Sequence, residues 1–215
     1  MTLAVPSSSP MNAGRQAAFG PVLASPRLRV RQMGRDDVAR IYEVNRSLNR
    51  RYLSAPPLDL EGLDELRRVF EGEWRQYGLG YLMICRDDET VGHVRLKCIP
   101  DCTSGRAAEL TYAIAPAHQD RGYATEAVGM VLKFAFEEAG VDYVVACVEP
   151  HNAASVRVVE KNGLAWVATG KIHGRTMRRY ILPATMWRAQ RRALEAQHPS
   201  AGLASLGTLD ARLGA

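Results

Sequence analysis

The chain has 215 residues, a 47% hydrophobic share and a formal net charge of +5. That length suits one domain, and no apolar run approaches the roughly 18–20 residues that a bilayer-spanning helix needs, so a helical membrane protein is excluded. The mildly basic balance suits an anionic ligand and is only weak support for nucleic-acid binding.

The first segment, "MTLAVPSSSPMNAGRQAAFG", lacks a basic stretch followed by an apolar one, so no signal peptide is expected. Residues 1–25 are rich in Ala, Ser, Pro and Gly without periodicity and read as a disordered arm. "PRLRVRQM" alternates Leu28 and Val30 with arginines, the pattern of a strand with one wet face. Asp36 and Asp37 stand where a helix start favours acids, ahead of Val38, Ile41, Tyr42 and Val44. A second helix is predicted over 60–77, with Leu63, Leu66, Val69, Phe70 and Trp74 at spacings of three and four.

"GYLMICRDDETVGHVRLKCI" places two apolar runs around a polar turn and predicts a hairpin. "AAELTYAIAP" is a third strand, ended by Pro116. From Ala124 onward apolar residues recur at 124, 127, 128, 131, 132 and 135, the strongest helical period in the chain. "VDYVVACV" is apolar on both faces and predicts a central strand covered on both sides. Asn152 suits a helix cap, Val156 and Val159 an inward face, and Asn162-Gly163 a helix stop. "AWVATGKIH" and "RRYIL" predict a last strand pair. Residues 184–197 suggest a short basic helix, and 188–215, set apart from the domain, read as that basic helix and a low-complexity tail. The order predicts a mixed α/β domain with a right-handed strand-helix-strand crossover from Leu110 to Val148.

Cys85, Cys98, Cys102 and Cys147 form no CxxC, so reduced thiols in a cytosolic protein are favoured over a disulfide or a metal site. Between Lys171 and Leu194 lie seven basic residues and no carboxylate, either a solvated face or a surface for an acidic partner. No aromatic residues interleave them in a way that suggests base stacking.

The chemistry is concentrated at "APAHQDRGYATEAV". Gly122 and Ala124 open a long helix, whose first N–H groups lack intrahelical partners and carry partial positive charge. Small residues there let an anion, typically phosphate, rest on the backbone. The competing reading is that Gly122 only permits a turn of positive φ.

Gln119-x-x-Gly122-x-Ala124 matches the Q/R-x-x-G-x-G/A motif of the GNAT superfamily of acyl-coenzyme A-dependent N-acetyltransferases. "RLRVRQMGRDD", "GYATEA" and "NAASVRVVEKNGL" resemble its RimJ/RimL-like branch, and the likeness runs from about Pro26 to Trp187. The resemblance implies a domain over 26–187 with the GNAT fold. That fold has a central, mixed and mostly antiparallel sheet, with helices on both faces and a splayed parallel strand pair that admits acetyl-CoA. It assigns the pyrophosphate to Gln119, Asp120, Arg121, Gly122, Tyr123, Ala124 and Thr125. The pantetheine arm falls to the backbone of Tyr112, Ala113 and Ile114 and to Asn152. Many family members place a proton-donating tyrosine where this chain has Val159, and the resemblance makes Ser155 the candidate in its stead.

The implied reaction is direct attack of a primary amine, on a small molecule or a protein N-terminus, upon the thioester. Glu109 is the candidate base, against the alternative of an ordinary strand-end glutamate. Glu126 reads as structural. Tyr42, Asn45, Arg46, Arg51, Tyr52, Trp74, His173 and Arg175 fall where the family lines its acceptor pocket. No metal, nucleic acid or membrane is implied, and a homodimer is compatible. The alternative function is an acyl-CoA sensor or scaffold without turnover.

Overall fold

The computed structural model describes residues 21–34, 36–48, 60–99, 105–172 and 174–197. Its strands are β1 (Val22–Ala24), β2 (Arg29–Gln32), β3 (Tyr81–Arg86), β4 (Glu89–Ile99), β5 (Ala107–Ile114), β6 (Tyr143–Val148), β7 (Ala165–Ile172) and β8 (Arg175–Pro183). Its α-helices are α1 (Asp37–Leu48), α2 (Leu60–Tyr77), α3 (Tyr123–Glu137), α4 (Ala153–Lys161) and α5 (Ala184–Gln197). The strands form one sheet in the order β1-β2-β3-β4-β5-β6-β8-β7. Every neighbouring pair is antiparallel except β5 and β6.

Alternation sorts the sheet residues onto two faces. Leu82 and Ile84 of β3, Val94 and Leu96 of β4 and Leu110 of β5 form one core with Ala127, Val128, Val131, Leu132 and Ala135 of α3. Each buried side chain of Val or Leu size stabilises by about 1.5–3 kcal/mol, before entropy is subtracted. The opposite face carries Met83 and Cys85, packed with Val38 and Ile41 of α1 and Phe70 of α2.

Two elements depart from the sequence reading. Val22–Ala24 fall within the segment expected to be a disordered arm, yet they pair with Arg29–Arg31 as an edge strand. β6 was expected to be covered on both faces, but only Val144, Ala146 and Val148 are buried, and the residues between them are half-buried. α5 (Ala184–Gln197) stands where the sequence indicated a short basic helix, and it buries Ala184 and Trp187 in the main core. Gly163, at φ 82°, ends α4 as expected, with the Leu164 N–H donating to the Val159 carbonyl across 3.1 Å and the Leu164 side chain buried.

Candidate functional site

The sheet opens between β5 and β6. The two strands pair only from Ala107 to Glu109, opposite Tyr143 to Val145. Beyond Glu109, β5 stays paired with β4 as far as Ile114, and β6 stays paired with β8 as far as Val148, but the two do not pair with each other. A row of backbone groups on β5 is thereby left facing a cleft, available to an extended ligand in the way a sheet edge is available to an added strand.

The turn after β5 leads to the start of α3. A short 3₁₀ turn, Pro116–His118, is followed by Asp120 at φ 59° and Gly122 at φ 79°. Gly122 is the N-cap of α3, and no side chain among the described residues caps that helix. The Gln119 amide donates to the Ile114 carbonyl (3.0 Å), and the Arg121 guanidinium donates to the Ala117 carbonyl (3.2 Å), so both side chains stiffen the turn. A Cβ added at Gly122 would meet only Arg27 Nη2, at 3.5 Å. The left-handed conformation by itself favours glycine here, which is the competing reading of the sequence. The uncapped first turn is a separate feature, and it suits an anion.

Sequence reasoning passed over Arg27. Its guanidinium forms an ion pair with Glu126, donates to the Arg121 carbonyl across 3.1 Å, and lies 5.4 Å from the centre of the Tyr123 ring. The Ser25 hydroxyl donates to the other Glu126 oxygen. Glu126 is thus structural, tying the β1–β2 turn to α3, and the tie places a half-exposed cation beside the uncapped helix start. The only signal was an arginine in "PRLRVRQM", with its partner 99 residues away.

On the other side of the cleft, Asn152 caps α4, its Oδ1 accepting the Ser155 N–H at 3.0 Å. Ser155 is half-buried, and its hydroxyl lies 2.9 Å from the Tyr112 hydroxyl of β5. Burial pushes the Tyr112 phenol up to about 12, against the hydrogen bond from Ser155. Val159, one turn along, is fully buried in the core.

Glu109 occupies the vertex, as the last residue of β5 paired to β6. It is an odd number of residues from Tyr112 along the strand, so the two side chains point to opposite faces. The fold therefore gathers Tyr112, Asn152 and Ser155 on the α3–α4 face and leaves Glu109 on the other. Cys147 of β6 is close enough to register it: burial, and then the Glu109 carboxylate, push its thiol up, while Arg179 opposes them.

Of the residues proposed for an acceptor pocket, Arg51, Tyr52 and His173 lie outside the described residues, as does the side chain of Arg46. Trp74 is committed to packing, its indole N–H donating to the Tyr81 carbonyl (3.0 Å) and its ring 6.4 Å from that of Phe134. Arg175 pairs with Glu149 at 3.1 Å. Asn45 faces His93 of β4, with Oδ1 2.8 Å from Nε2. His93 is buried, and burial, followed by the Arg95 charge, lowers it to about 4. Among the described residues there is no metal-binding group of His, Cys, Asp and Glu, no helix is long and apolar enough to cross a membrane, and Cys85, Cys98 and Cys147 are free thiols.

A mixed sheet split at one parallel pair, with an uncapped helix start beside the split, defines a class of ligand-admitting α/β domain. Residues 27–165 match the acetyltransferase (GNAT) domain family, and the chain belongs to it. The chain is 30% identical over 115 residues to the uncharacterized protein YkkB of Bacillus subtilis, an alignment covering 50% of this chain and 67% of YkkB. A GNAT-family acetyltransferase from Bacillus anthracis superposes with a TM-score of 0.62 at 20% identity, over 77% of this chain and 99% of that one. A variant of the spermidine N-acetyltransferase SpeG from Vibrio cholerae superposes with a TM-score of 0.63 at 21% identity, over 78% and 99%. At such identities these likenesses carry the fold alone.

Proposed function

We propose that the chain is a RimJ/RimL-like N-acetyltransferase that moves the acetyl group of acetyl-CoA to a primary amine, on a small molecule or a protein N-terminus. The observation that carries this reading is the cleft itself: an unpaired half of β5 opposite Ser155, with an uncapped helix start at one end and a carboxylate at the vertex. In this reading the first-turn N–H groups of α3 and the Arg27 guanidinium hold the pyrophosphate. The backbone of Tyr112, Ala113 and Ile114 holds the extended arm, and an N–H there polarises the thioester carbonyl.

The amine must attack in its neutral form. An α-amino group, with a pKa near 8, needs little help, whereas a lysine-type amine near 10.4 needs more. Glu109, directly or through water, accepts the proton that the amine sheds. Ser155 donates a hydrogen bond to the sulfur as the thioester C–S bond breaks.

The open edge strand β7, where Trp166 and Val167 are exposed, supports a homodimer. The free thiols support a reducing, cytoplasmic setting. The test is thiol release from acetyl-CoA with a panel of amines: spermidine, a peptide with a free N-terminus and an aryl amine. Turnover with one of them is expected. Tight binding of acetyl-CoA with no thiol release across the panel would favour the non-catalytic sensor.

A further inference from the structure

Tyr112 enters the reading above only through its backbone, yet its side chain is what β5 sends to Ser155. The phenol oxygen lies 2.9 Å from Ser155 Oγ and 3.1 Å from the Ser155 carbonyl oxygen, across 43 residues of sequence. A buried phenol needs one acceptor, and the carbonyl alone would satisfy it. The second contact, to the hydroxyl, is not needed for that purpose.

The phenol has one proton and two acceptors on the same residue. In one arrangement it donates to the carbonyl, and the Ser155 proton is then spent on the phenol oxygen. In the other it donates to Ser155 Oγ, and the Ser155 proton is free to point into the cleft. A negative charge beside Ser155 favours the second arrangement, because charge-assisted hydrogen bonds are roughly twice as strong as neutral ones. A hydroxyl that accepts one hydrogen bond also donates a stronger one.

We propose that Tyr112 is a positioning residue whose hydroxyl orients that of Ser155, so that the pair acts as a donor for the sulfur of a coenzyme A thiolate in the cleft. This rests on the acyl-CoA reading. The phenol itself is not the acid. With its pKa raised to about 12, proton loss to a thiolate whose conjugate acid lies near 8.5 is uphill by about three to four units. Tyr112 therefore keeps its proton, no covalent bond changes, and its contribution is the direction and strength of one hydrogen bond.

The test needs no acceptor amine. Coenzyme A is bound to the wild type, Tyr112→Phe, Ser155→Ala and the double variant, and its thiolate absorbance is titrated from about pH 6 to 10, across the ordinary thiol range. In the wild type the bound thiol should titrate about one unit below free coenzyme A, a tenfold preference for the thiolate. Each single variant should lose most of that shift, and the double variant should lose no more than Ser155→Ala. Affinity for desulfo-coenzyme A should stay unchanged, which a merely structural role would not predict. Tyr112→3-fluorotyrosine, which keeps the shape and donates more strongly, should lower the thiol further.

A thiol moved by Ser155→Ala but not by Tyr112→Phe or the fluorotyrosine would overturn the proposal and leave the acyl-CoA reading standing. Failure of the wild type to bind coenzyme A at all would overturn both.

Discussion

Against α3 the sheet presents Leu82, Ile84, Val94, Leu96 and Leu110, all apolar and almost inaccessible. Against α1 and α2 it presents Met83 and Cys85 together with His93 and Arg95, and there the polar groups are held in pairs. His93 is bonded to Asn45, and Arg95 to Glu73, with its guanidinium 4.8 Å from the Tyr81 ring centre and 5.7 Å from that of Phe70. Arg31 and the Gly34 N–H hold Asp37 below the usual carboxylate range, although burial acts in the opposite sense. The apolar face is a platform that fixes a helix whose start is left uncapped. The polar face holds its buried groups one pair at a time, and His93 Nδ1 has no hydrogen-bond partner among the described residues, so the stability of this face depends on protonation state. The two faces should therefore respond to different perturbations.

The largest effect is expected at the vertex between them. If Glu109 accepts the proton of the amine, Glu109→Gln should lower the rate about 10²-fold or more at low pH, where the acceptor is charged. The defect should shrink as pH approaches the acceptor's own pKa. Stability should change by less than about 0.5 kcal/mol, because the half-buried side chain is not tied into the core. A pH–rate profile with one confirmed amine decides the matter: a defect of equal size at every pH would make Glu109 a residue that positions rather than one that accepts a proton.

The polar face is tested by acid. His93 is lowered in the fold to about 4, whereas an unfolded histidine titrates near 6.5. The unfolded chain therefore binds the extra proton first as pH falls. The stabilisation is complete above about 6.5 and is lost as pH drops toward 4, on the order of 3 kcal/mol in total. Urea unfolding at stepped pH should show that slope in the wild type and lose it in His93→Gln. Persistence of the slope in the variant would move the acid sensitivity to other groups.

How much of this was legible in the sequence follows from range. The period of α3, the crossover to β6, the Asn152 cap and the Gly163 stop are local patterns, and each stands where its residues indicated. The strand at Val22–Ala24 is too short to show a period. β6 read as doubly covered because its apolar run has no polar alternation, and the half-buried residues on its second face belong to the strand that lines the opening. The pairs Arg27–Glu126, Asn45–His93 and Tyr112–Ser155 join residues 99, 48 and 43 positions apart. No spacing rule reaches that far.

On the apolar face, the uncapped helix start is the more sensitive point. Gly122→Val places a branched side chain at φ 79° and beside the first-turn N–H groups. Acetyl-CoA affinity should fall at least tenfold, about 1.4 kcal/mol. The backbone conformation should cost a further 1–2 kcal/mol or so of stability. Calorimetry on the folded variant separates the two, since strain alone lowers the melting temperature without weakening binding. Unchanged affinity would remove the anion site from this turn.

The smallest effect belongs to the helix start that is already capped. Asn152→Ala removes the acceptor of the Ser155 N–H and should destabilise by about 1 kcal/mol. That loss alone cannot tell a cap from a ligand contact, but Asn152→Ser can. Serine caps a helix about as well as asparagine does, yet it has no amide N–H to offer a bound arm. If Asn152 only caps, the serine variant should match the wild type in both urea midpoint and acetyl-CoA affinity. If it also reaches the pantetheine arm, the serine variant should keep the midpoint while affinity falls several-fold, the worth of one neutral hydrogen bond at about 0.5–1.5 kcal/mol. A serine variant that lost stability and kept its affinity would contradict both assignments, and would mean that the Asn152 amide is held by the protein itself.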